Sequence, residues 1–244
     1  MCVGHSKDSA MDDFNKAFAT AIALILALDR ELLAIVCRSL LVSLSAVGLA
    51  ALVGLPLGAT VAVCRFPGRG MVGALLNAMM GLPPVVVGLV LYLLLSRSGP
   101  WGGLGLLYTP TAMVLAQWVL ITPIVAALTR QAIVDLHEEY DAQLRSLGVG
   151  PWRTVWTLLW EGRFGLLTAV LAGFGRASAE VGAVIIVGGN IDHVTRVMTT
   201  TIALETSKGN LPLALGLGII LLCLTFIVNV AAMAIRDVAK RVYG

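Results

Sequence analysis

The chain has 244 residues, a net charge of +3 and a mean hydropathy of +0.92; 58% of its residues are hydrophobic and only 13% are charged. An ordinary soluble domain carries about 25% charged residues. This composition excludes a soluble enzyme, a disordered chain and a coiled coil, and it predicts an all-α polytopic protein embedded in a lipid bilayer. Because the net charge is small, no nucleic-acid partner is expected.

Helices need about 20 apolar residues to cross the roughly 30 Å core of a bilayer. Four segments of this length are free of charged residues, and a fifth contains only the pair Arg176 and Glu180. A charged pair inside an apolar helix is typical of a membrane segment that faces protein or water. The five spans are predicted near residues 40–63, 71–95, 110–129, 164–188 and 211–234.

The segments outside the spans predict the orientation. Residues 1–37 contain one short apolar run, Ala17–Leu28, which predicts an interfacial helix, with an additional span as the alternative. Arg and Lys concentrate in the loops after the first and third spans and in the C-terminal region that ends in the tail 237–244. Because cytoplasmic loops carry an excess of basic residues, we expect the N-terminus outside and the C-terminus in the cytoplasm.

The loop between the third and fourth spans, residues 131–163, is too long and too regular for a simple connection. Asp135–Leu147 has apolar residues spaced along one helical face, and Gly148 is expected to end that helix. A second short helix is predicted over Trp152–Trp160. A helix–Gly–helix on the membrane surface suits the docking of another protein, whereas its tryptophans also suit a loop that rests on lipid headgroups.

Adjacent prolines, Pro83 and Pro84, interrupt the second span. Each proline removes a backbone donor, and in lipid the freed carbonyls are tolerated only beside protein or water. The pair therefore predicts a bent helix, which either borders the translocation path or is a packing kink.

The fourth span carries the other polar candidates. Arg176 and Glu180 are four residues apart and can pair on one helix face, either to favour the passage of an anion or to hold the helix to its neighbours. The span ends at Gly188, Gly189 and Asn190, which predict a tight reversal and, alternatively, a share in an outer gate.

Catalytic motifs are absent from the sequence. The pattern G-x-x-x-x-G-K-[ST] does not occur, so ATP binding by a P-loop is excluded. The Cys and His residues show no metal-binding spacing, and we expect no catalytic residue, no metal and no cofactor. If the protein pumps a solute, the energy must come from a separate ATPase. Because five spans enclose a channel poorly, a homodimer with its path along the two-fold axis is expected.

Several stretches resemble one family. Asp141–Trp160 (DAQLRSLGVGPWRTVWTLLW) resembles the EAA loop of bacterial ABC importer permeases, with Gly148 at the family's glycine. Leu82–Gly88 (LPPVVVG) resembles the proline pair of oxyanion permeases. Residues 175–191 are similar to tungstate and molybdate permeases, and residues 195–206 to the tungstate branch. The family's Glu-Ala-Ala falls here on Ala142, Gln143 and Leu144.

The resemblance implies a type I ABC importer permease over residues 38–236 in a bacterial or archaeal cytoplasmic membrane. Its implied partners are an ABC ATPase, an extracytoplasmic oxyanion-binding protein and a second copy of the chain. The implied cargo is a tetrahedral oxyanion, tungstate first; molybdate, sulfate or another solute is the alternative, and an ion-coupled secondary transporter is less favoured. The residues implied to couple to the ATPase are Tyr140, Asp141, Ala142, Leu144, Leu147, Gly148 and Trp152. Those assigned to the path or gate are Pro83, Pro84, Arg176, Glu180, Gly188, Gly189 and Asn190.

Overall fold

The computed structural model describes Ala19, Ile22, Ala23 and residues 30–243. Most of the interfacial helix predicted within residues 1–37 therefore lies outside the described residues. The regular structure of residues 30–243 is helical, with one 3-10 turn at Gly102–Leu104. The helices are α1 (Arg30–Val63), α2 (Arg69–Met79), α3 (Pro84–Leu95), α4 (Pro110–Ser146), α5 (Pro151–Glu161), α6 (Arg163–Ser178), α7 (Gly182–Gly188), α8 (Met198–Ser207) and α9 (Leu211–Tyr243).

Three of these helices, α1, α4 and α9, are long and apolar enough to cross a membrane. α1 begins at Arg30 rather than near residue 40. α4 runs unbroken from Pro110 to Ser146, so the third predicted span and the predicted loop helix are one element. The loss of hydropathy after Thr129 marks the edge of the apolar segment, but the helix continues because no glycine or proline follows before Ser146.

The second and fourth predicted spans are broken. α2 and α3 are bent by 99° at the Pro83–Pro84 pair, as the paired prolines predicted. The fourth predicted span, 164–188, is two helices, because α6 ends at Ser178 and α7 begins at Gly182. A continuous helix was therefore the wrong expectation for this segment. The break falls on Glu180, whose carboxylate bonds to the free backbone at the start of α7.

α1 and α4 approach each other closely along one face. Gly54 and Gly58 lie four residues apart on α1, and both are buried. A Cβ at Gly54 would lie 3.1 Å from Cβ of Val125, and one at Gly58 would lie 2.8 Å from Cβ of Thr129. Small residues at this spacing allow two membrane helices to meet backbone to backbone. The contact fastens the first span to the central helix.

α4 lies at the centre of the fold and α9 at its periphery. In the most apolar 18-residue stretch of each helix, 61% of the residues of α4 are buried, compared with 22% of those of α9. Four apolar clusters include residues of α4: one around Met113, one around Ile121 and Val125, one at Ala126 and Ala127, and one around Ile133. Large apolar side chains on α1 and α9 stay exposed, as expected where a helix faces lipid rather than water.

Candidate coupling corner and translocation site

The corner between α4 and α5, residues 147–150, has the helix–Gly–helix form that the sequence predicted. Gly148 has φ +66°, a left-handed conformation that glycine adopts without a Cβ penalty. Its N–H donates to the carbonyl of Arg145, and the N–H of Val149 donates to the carbonyl of Leu144, both at 3.0 Å. Pro151 occupies the first position of α5, where its missing N–H is not needed.

The predicted coupling residues divide into two groups at this corner. Leu147 is 77% exposed and Trp152 is 60% exposed, and the Trp152 ring meets Trp156 edge-on at 6.1 Å. Tyr140 and Leu144 instead pack against the chain's own apolar cluster around Ile133. Leu144 was expected to anchor a partner, but much of its surface is already used inside the protein. The available apolar surface is therefore on Leu147 and the α5 tryptophans.

Asp141 stabilises the last turns of α4 rather than pointing into open solvent. Its two carboxylate oxygens accept hydrogen bonds from Nε and a terminal nitrogen of Arg145, each at 2.8 Å. His137 Nε2 lies 3.8 Å from the same carboxylate. Because the Arg145 side chain is 61% exposed, this pair contributes at most about 1 kcal/mol to stability. Ala142 and Gly148 are exposed beside it.

Pro83 and Pro84 lie at a helix start and not inside a helix. α2 ends through short-range bonds such as Gly81 N–H to Ala78 O, at 3.2 Å, and Pro84 is the first residue of α3. One turn further on, a Cβ at Gly88 would lie 2.8 Å from Cα of Ala183. The prolines thus set the direction from which α3 packs onto α7.

The predicted pair of Arg176 and Glu180 forms across the break between α6 and α7. An Arg176 terminal nitrogen lies 2.5 Å from Glu180 Oε2, and the Glu180 side chain is only 3% exposed. Glu180 Oε1 accepts a hydrogen bond from the N–H of Ala183 at 3.0 Å, and the Thr199 hydroxyl donates to the Glu180 carbonyl at 3.0 Å. Glu180 therefore joins α6, α7 and α8, while the Arg176 side chain keeps 31% of its surface exposed.

The corner between α7 and α8, residues 189–197, begins at the predicted reversal. Gly189 has φ +71° and Asn190 has φ +50°, so two consecutive left-handed residues turn the chain. The Thr195 hydroxyl donates to the Gly188 carbonyl at 2.5 Å and accepts from the N–H of Ile191 at 2.9 Å. The Thr195 hydroxyl thus closes the turn, whereas Asn190 Oδ1 is buried and has no partner among the described atoms.

Tyr108, in the connection before α4, packs against this corner. Its N–H donates to the Val187 carbonyl at 2.9 Å, and a Cβ at Gly189 would lie 2.7 Å from its ring. Hydrogen bonding with Tyr92, followed by burial, raises the pKa of Tyr108 above its ordinary value of 10.0. The phenol is therefore neutral at physiological pH.

Sequence reasoning missed the clamp that α1 makes on the α7–α8 corner. Arg38 donates to the carbonyls of His193, at 2.8 Å, and Arg196, at 3.0 Å. Ser39 Oγ accepts from the N–H of Met198 at 2.8 Å. The separation of about 155 residues between these partners leaves no periodic signal in the sequence.

A second missed residue is Gln117, a polar side chain in the apolar run of α4 that is only 4% exposed. Its amide nitrogen donates to the Ala177 carbonyl at 3.1 Å, and its Oε1 has no partner among the described atoms. A cavity between α1, α4, α6, α8 and α9 contains this residue with Ser43 and Thr225. A lone glutamine in an uncharged run was the signal that could have drawn attention to it.

His193 lies beside two carboxylates that are not all close to it in the sequence. One ligand atom each from Glu31, Asp192 and His193 lies within 4.8 Å of the others, on the exposed surface. Asp192 is also paired with Arg196 at 2.9 Å. That positive charge opposes cation binding, and the group is best described as part of the polar α7–α8 corner.

Residues 54–241 match the family described as the binding-protein-dependent transport system inner membrane component. The chain belongs to this family of ABC importer permeases. It is a multi-pass transport subunit of the inner membrane with the type I permease fold.

Individual relatives extend the match over most of the chain. The tungstate uptake system permease protein TupB of Peptoclostridium acidaminophilum is 37% identical over 227 residues, covering 93% of this chain and 100% of that protein. TupB of Campylobacter jejuni is 38% identical over 165 residues, which is 68% of this chain and 69% of the relative. The molybdenum transport system permease protein ModB of Escherichia coli K12 is 30% identical over 171 residues, covering 65% and 75% respectively.

Proposed function

We propose that this chain is the permease of an ATP-driven importer for tungstate, and that its cargo reaches it from an extracytoplasmic binding protein. The observation that carries the substrate assignment is the 37% identity to a tungstate permease along that protein's full length. Molybdate is the second candidate, supported by the 30% identity to a molybdenum permease. The two oxyanions share shape and charge, so we expect selectivity to be set mainly by the binding protein.

The proposed contact with a separate ATPase is the α4–α5 corner. Leu147 and Trp152 offer exposed apolar surface there, and an added Cβ at Gly148 would meet nothing within 4 Å, so a partner can approach the backbone. Apolar and aromatic side chains of this kind are frequent anchors at protein interfaces. α4 continues from this corner through the whole apolar core, so displacement of the corner would be transmitted along one rigid helix.

The proposed path lies between two copies of the chain. α3 presents an exposed apolar face that includes Val86, Leu89 and Leu93, a surface that suits a second copy. Pro83, Pro84 and the exposed part of Arg176 are proposed to border the path, with Gly188, Gly189 and Asn190 at its outer gate. Because Glu180 neutralises Arg176, the pair would attract an oxyanion only weakly, and conduction requires that the ion can leave.

The proposed orientation follows from the same assignment. The α4–α5 corner and the C-terminus face the cytoplasm, and the α7–α8 corner faces the binding protein, with the N-terminus outside. The basic residues Arg65, Arg69, Arg145 and Arg153 lie on the proposed cytoplasmic side, as the distribution of positive charge in membrane proteins favours.

The substrate proposal is tested in vesicles that contain the purified permease, its ATPase and its binding protein. We expect ATP-dependent uptake of tungstate that excess molybdate reduces more strongly than excess sulfate. Uptake at the same rate without the ATPase would contradict the proposal and favour an ion-coupled transporter.

The docking proposal is tested by Gly148→Asp, which places a charge where the ATPase is proposed to approach. We expect loss of transport and of ATPase co-purification, with normal membrane insertion. Gly105→Asp is the matched control, because Gly105 has a similar φ of +61° and equally open surroundings on the opposite side of the protein. If Gly148→Asp still retains the ATPase at the wild-type level, the docking assignment is wrong.

A further inference from the structure

A long apolar groove runs along the lipid-facing side of the protein, between α1 on one side and α5 and α6 on the other. Its volume is about 450 Å³. Gly48, Leu52 and Pro56 of α1 form one wall, and Leu167 and Val170 of α6 contribute to the other. Among the described residues that line it, Arg163 at the start of α6 is the one that is charged.

The groove is somewhat shorter than the thickness of a single membrane leaflet. Gly48 to Pro56 spans about 12 Å of α1, and Arg163 to Val170 spans about 10 Å of α6, at 1.5 Å per helical residue. Half of the hydrocarbon core of a bilayer is about 15 Å thick. The groove therefore extends from the level of α5 toward the bilayer centre, over a depth that one acyl chain occupies.

Arg163 is held in place where the groove meets the membrane surface. Its guanidinium carbon lies 4.9 Å from the centre of the Trp160 ring and 4.5 Å from that of Phe164, and a terminal nitrogen donates to the Trp160 carbonyl at 2.8 Å. Among residues 30–243, no carboxylate pairs with it. Arg carries five N–H donors in a plane, so donors remain for a phosphate group.

Apolar walls that end at an oriented, unneutralised guanidinium match the two chemical halves of an anionic phospholipid. We propose that this groove binds one such lipid, with an acyl chain along α1 and α6 and its phosphodiester on Arg163. A transported oxyanion lacks the apolar half, and an apolar helix of a second copy would bury the Arg163 charge without a partner. With the orientation proposed above, the lipid belongs to the cytoplasmic leaflet.

The proposal is tested by native mass spectrometry of the purified full-length chain, titrated with phosphatidylglycerol or with phosphatidylcholine of the same acyl chains. We expect one phosphatidylglycerol to bind more tightly than phosphatidylcholine. Arg163→Gln should weaken the phosphatidylglycerol complex about fivefold, as expected for one basic residue at an anionic membrane surface. It should weaken the phosphatidylcholine complex less, because the choline cation of that lipid offsets the charge of its phosphodiester. Arg153→Gln is the matched control, because Arg153 is exposed on α5 outside the groove.

A second variant tests the acyl-chain half independently of charge. An added side chain at Gly48 would meet nothing within 4 Å in the protein, so Gly48→Leu should fold normally and fill the inner end of the groove. We expect it to weaken both lipids. Equal binding of the two lipids to the wild type, an equal loss in Arg153→Gln, or unchanged binding in Gly48→Leu would each overturn the proposal. None of these outcomes depends on the ATPase or on the transported ion.

Discussion

The α7–α8 corner and the α4–α5 corner differ in how many of their groups have partners within the protein. At the α7–α8 corner, side chains from α1 and from the turn itself bond to the backbone, through Arg38, Ser39 and Thr195. At the α4–α5 corner, Leu147 and Trp152 extend into open surroundings. A corner that is braced internally can hold its shape while a soluble protein docks and leaves. The exposed apolar surface of the α4–α5 corner is the basis for proposing that a partner docks there.

The largest expected effect tests the bracing beside the α7–α8 corner. Glu180→Gln should destabilise the protein by about 2–3 kcal/mol, because it removes the charge of a carboxylate that is only 3% exposed and leaves the partly exposed Arg176 without its partner. The measurement is the free energy of unfolding, or the melting temperature, in detergent. Asp237→Asn removes one partner of a surface pair with Arg236 and should change stability by less than about 1 kcal/mol. If Glu180→Gln and Asp237→Asn lowered stability by the same amount, Glu180 would not stabilise the junction of α6, α7 and α8 as proposed.

Two glycines with similar backbone angles provide a direct comparison of the corners. Alanine in the left-handed region costs about 1 kcal/mol, and this is the full penalty expected for Gly148→Ala, where nothing lies within 4 Å. Gly189→Ala should cost about 1 kcal/mol more, because its Cβ would lie 2.7 Å from the Tyr108 ring. Melting temperatures of the isolated permease would check the order. A larger loss at Gly148 would show that the α4–α5 corner is also constrained internally.

The exposed corner is tested by Trp152→Ala, which we expect to weaken ATPase binding about tenfold without changing the stability of the permease. The ring is 60% exposed, so its removal opens no cavity in the core. Trp101→Ala, at a ring that is 50% exposed at the other end of the protein, is the control. The measurements are ATPase co-purification and melting curves of both variants. If both variants lost the ATPase to the same extent, the proposal that α5 contacts the ATPase would be wrong.

The smallest effect concerns pH. A hydrogen bond from Lys208 lowers the pKa of Glu205 below its ordinary 4.5, against the opposing effect of burial, and Asn210 also lowers it. The stabilisation is therefore complete above about pH 4.5 and is lost as pH falls through the lower, folded-state value. Glu205→Gln should flatten this acidic part of the stability profile. An unchanged slope would show that the junction between α8 and α9 does not depend on this carboxylate.

The sequence predicted the features that local chemistry decides. Pro83 and Pro84 predicted a bend, Gly148 predicted the end of a helix, and the spacing of Arg176 and Glu180 predicted their pairing. These features depend on backbone geometry or on helical periodicity, and both can be read over a few residues.

Sequence reasoning missed two kinds of feature. Some depend on contacts between distant segments, and others are helix boundaries that a hydropathy pattern does not show. The extension of α4 beyond Thr129 was missed because an apolar run marks the part of a helix that lies in the bilayer and does not mark where the helix ends. The break at Glu180 was missed because its cause is a side chain that replaces a backbone bond. The clamp by Arg38 and the bond from Gln117 to Ala177 join segments with no common pattern.

The close contact between Gly58 and Thr129 has a mechanical consequence. Thr129 lies about 28 Å from the Pro110 end of α4 and about 26 Å from the Ser146 end, at 1.5 Å per residue. Because Gly54 meets Val125 as well, α1 holds α4 over more than one turn near its midpoint and not at a single pivot. If the proposed ATPase displaces the Ser146 end of α4, we expect α1 to move together with α4, and a larger side chain at Gly58 to weaken that linkage.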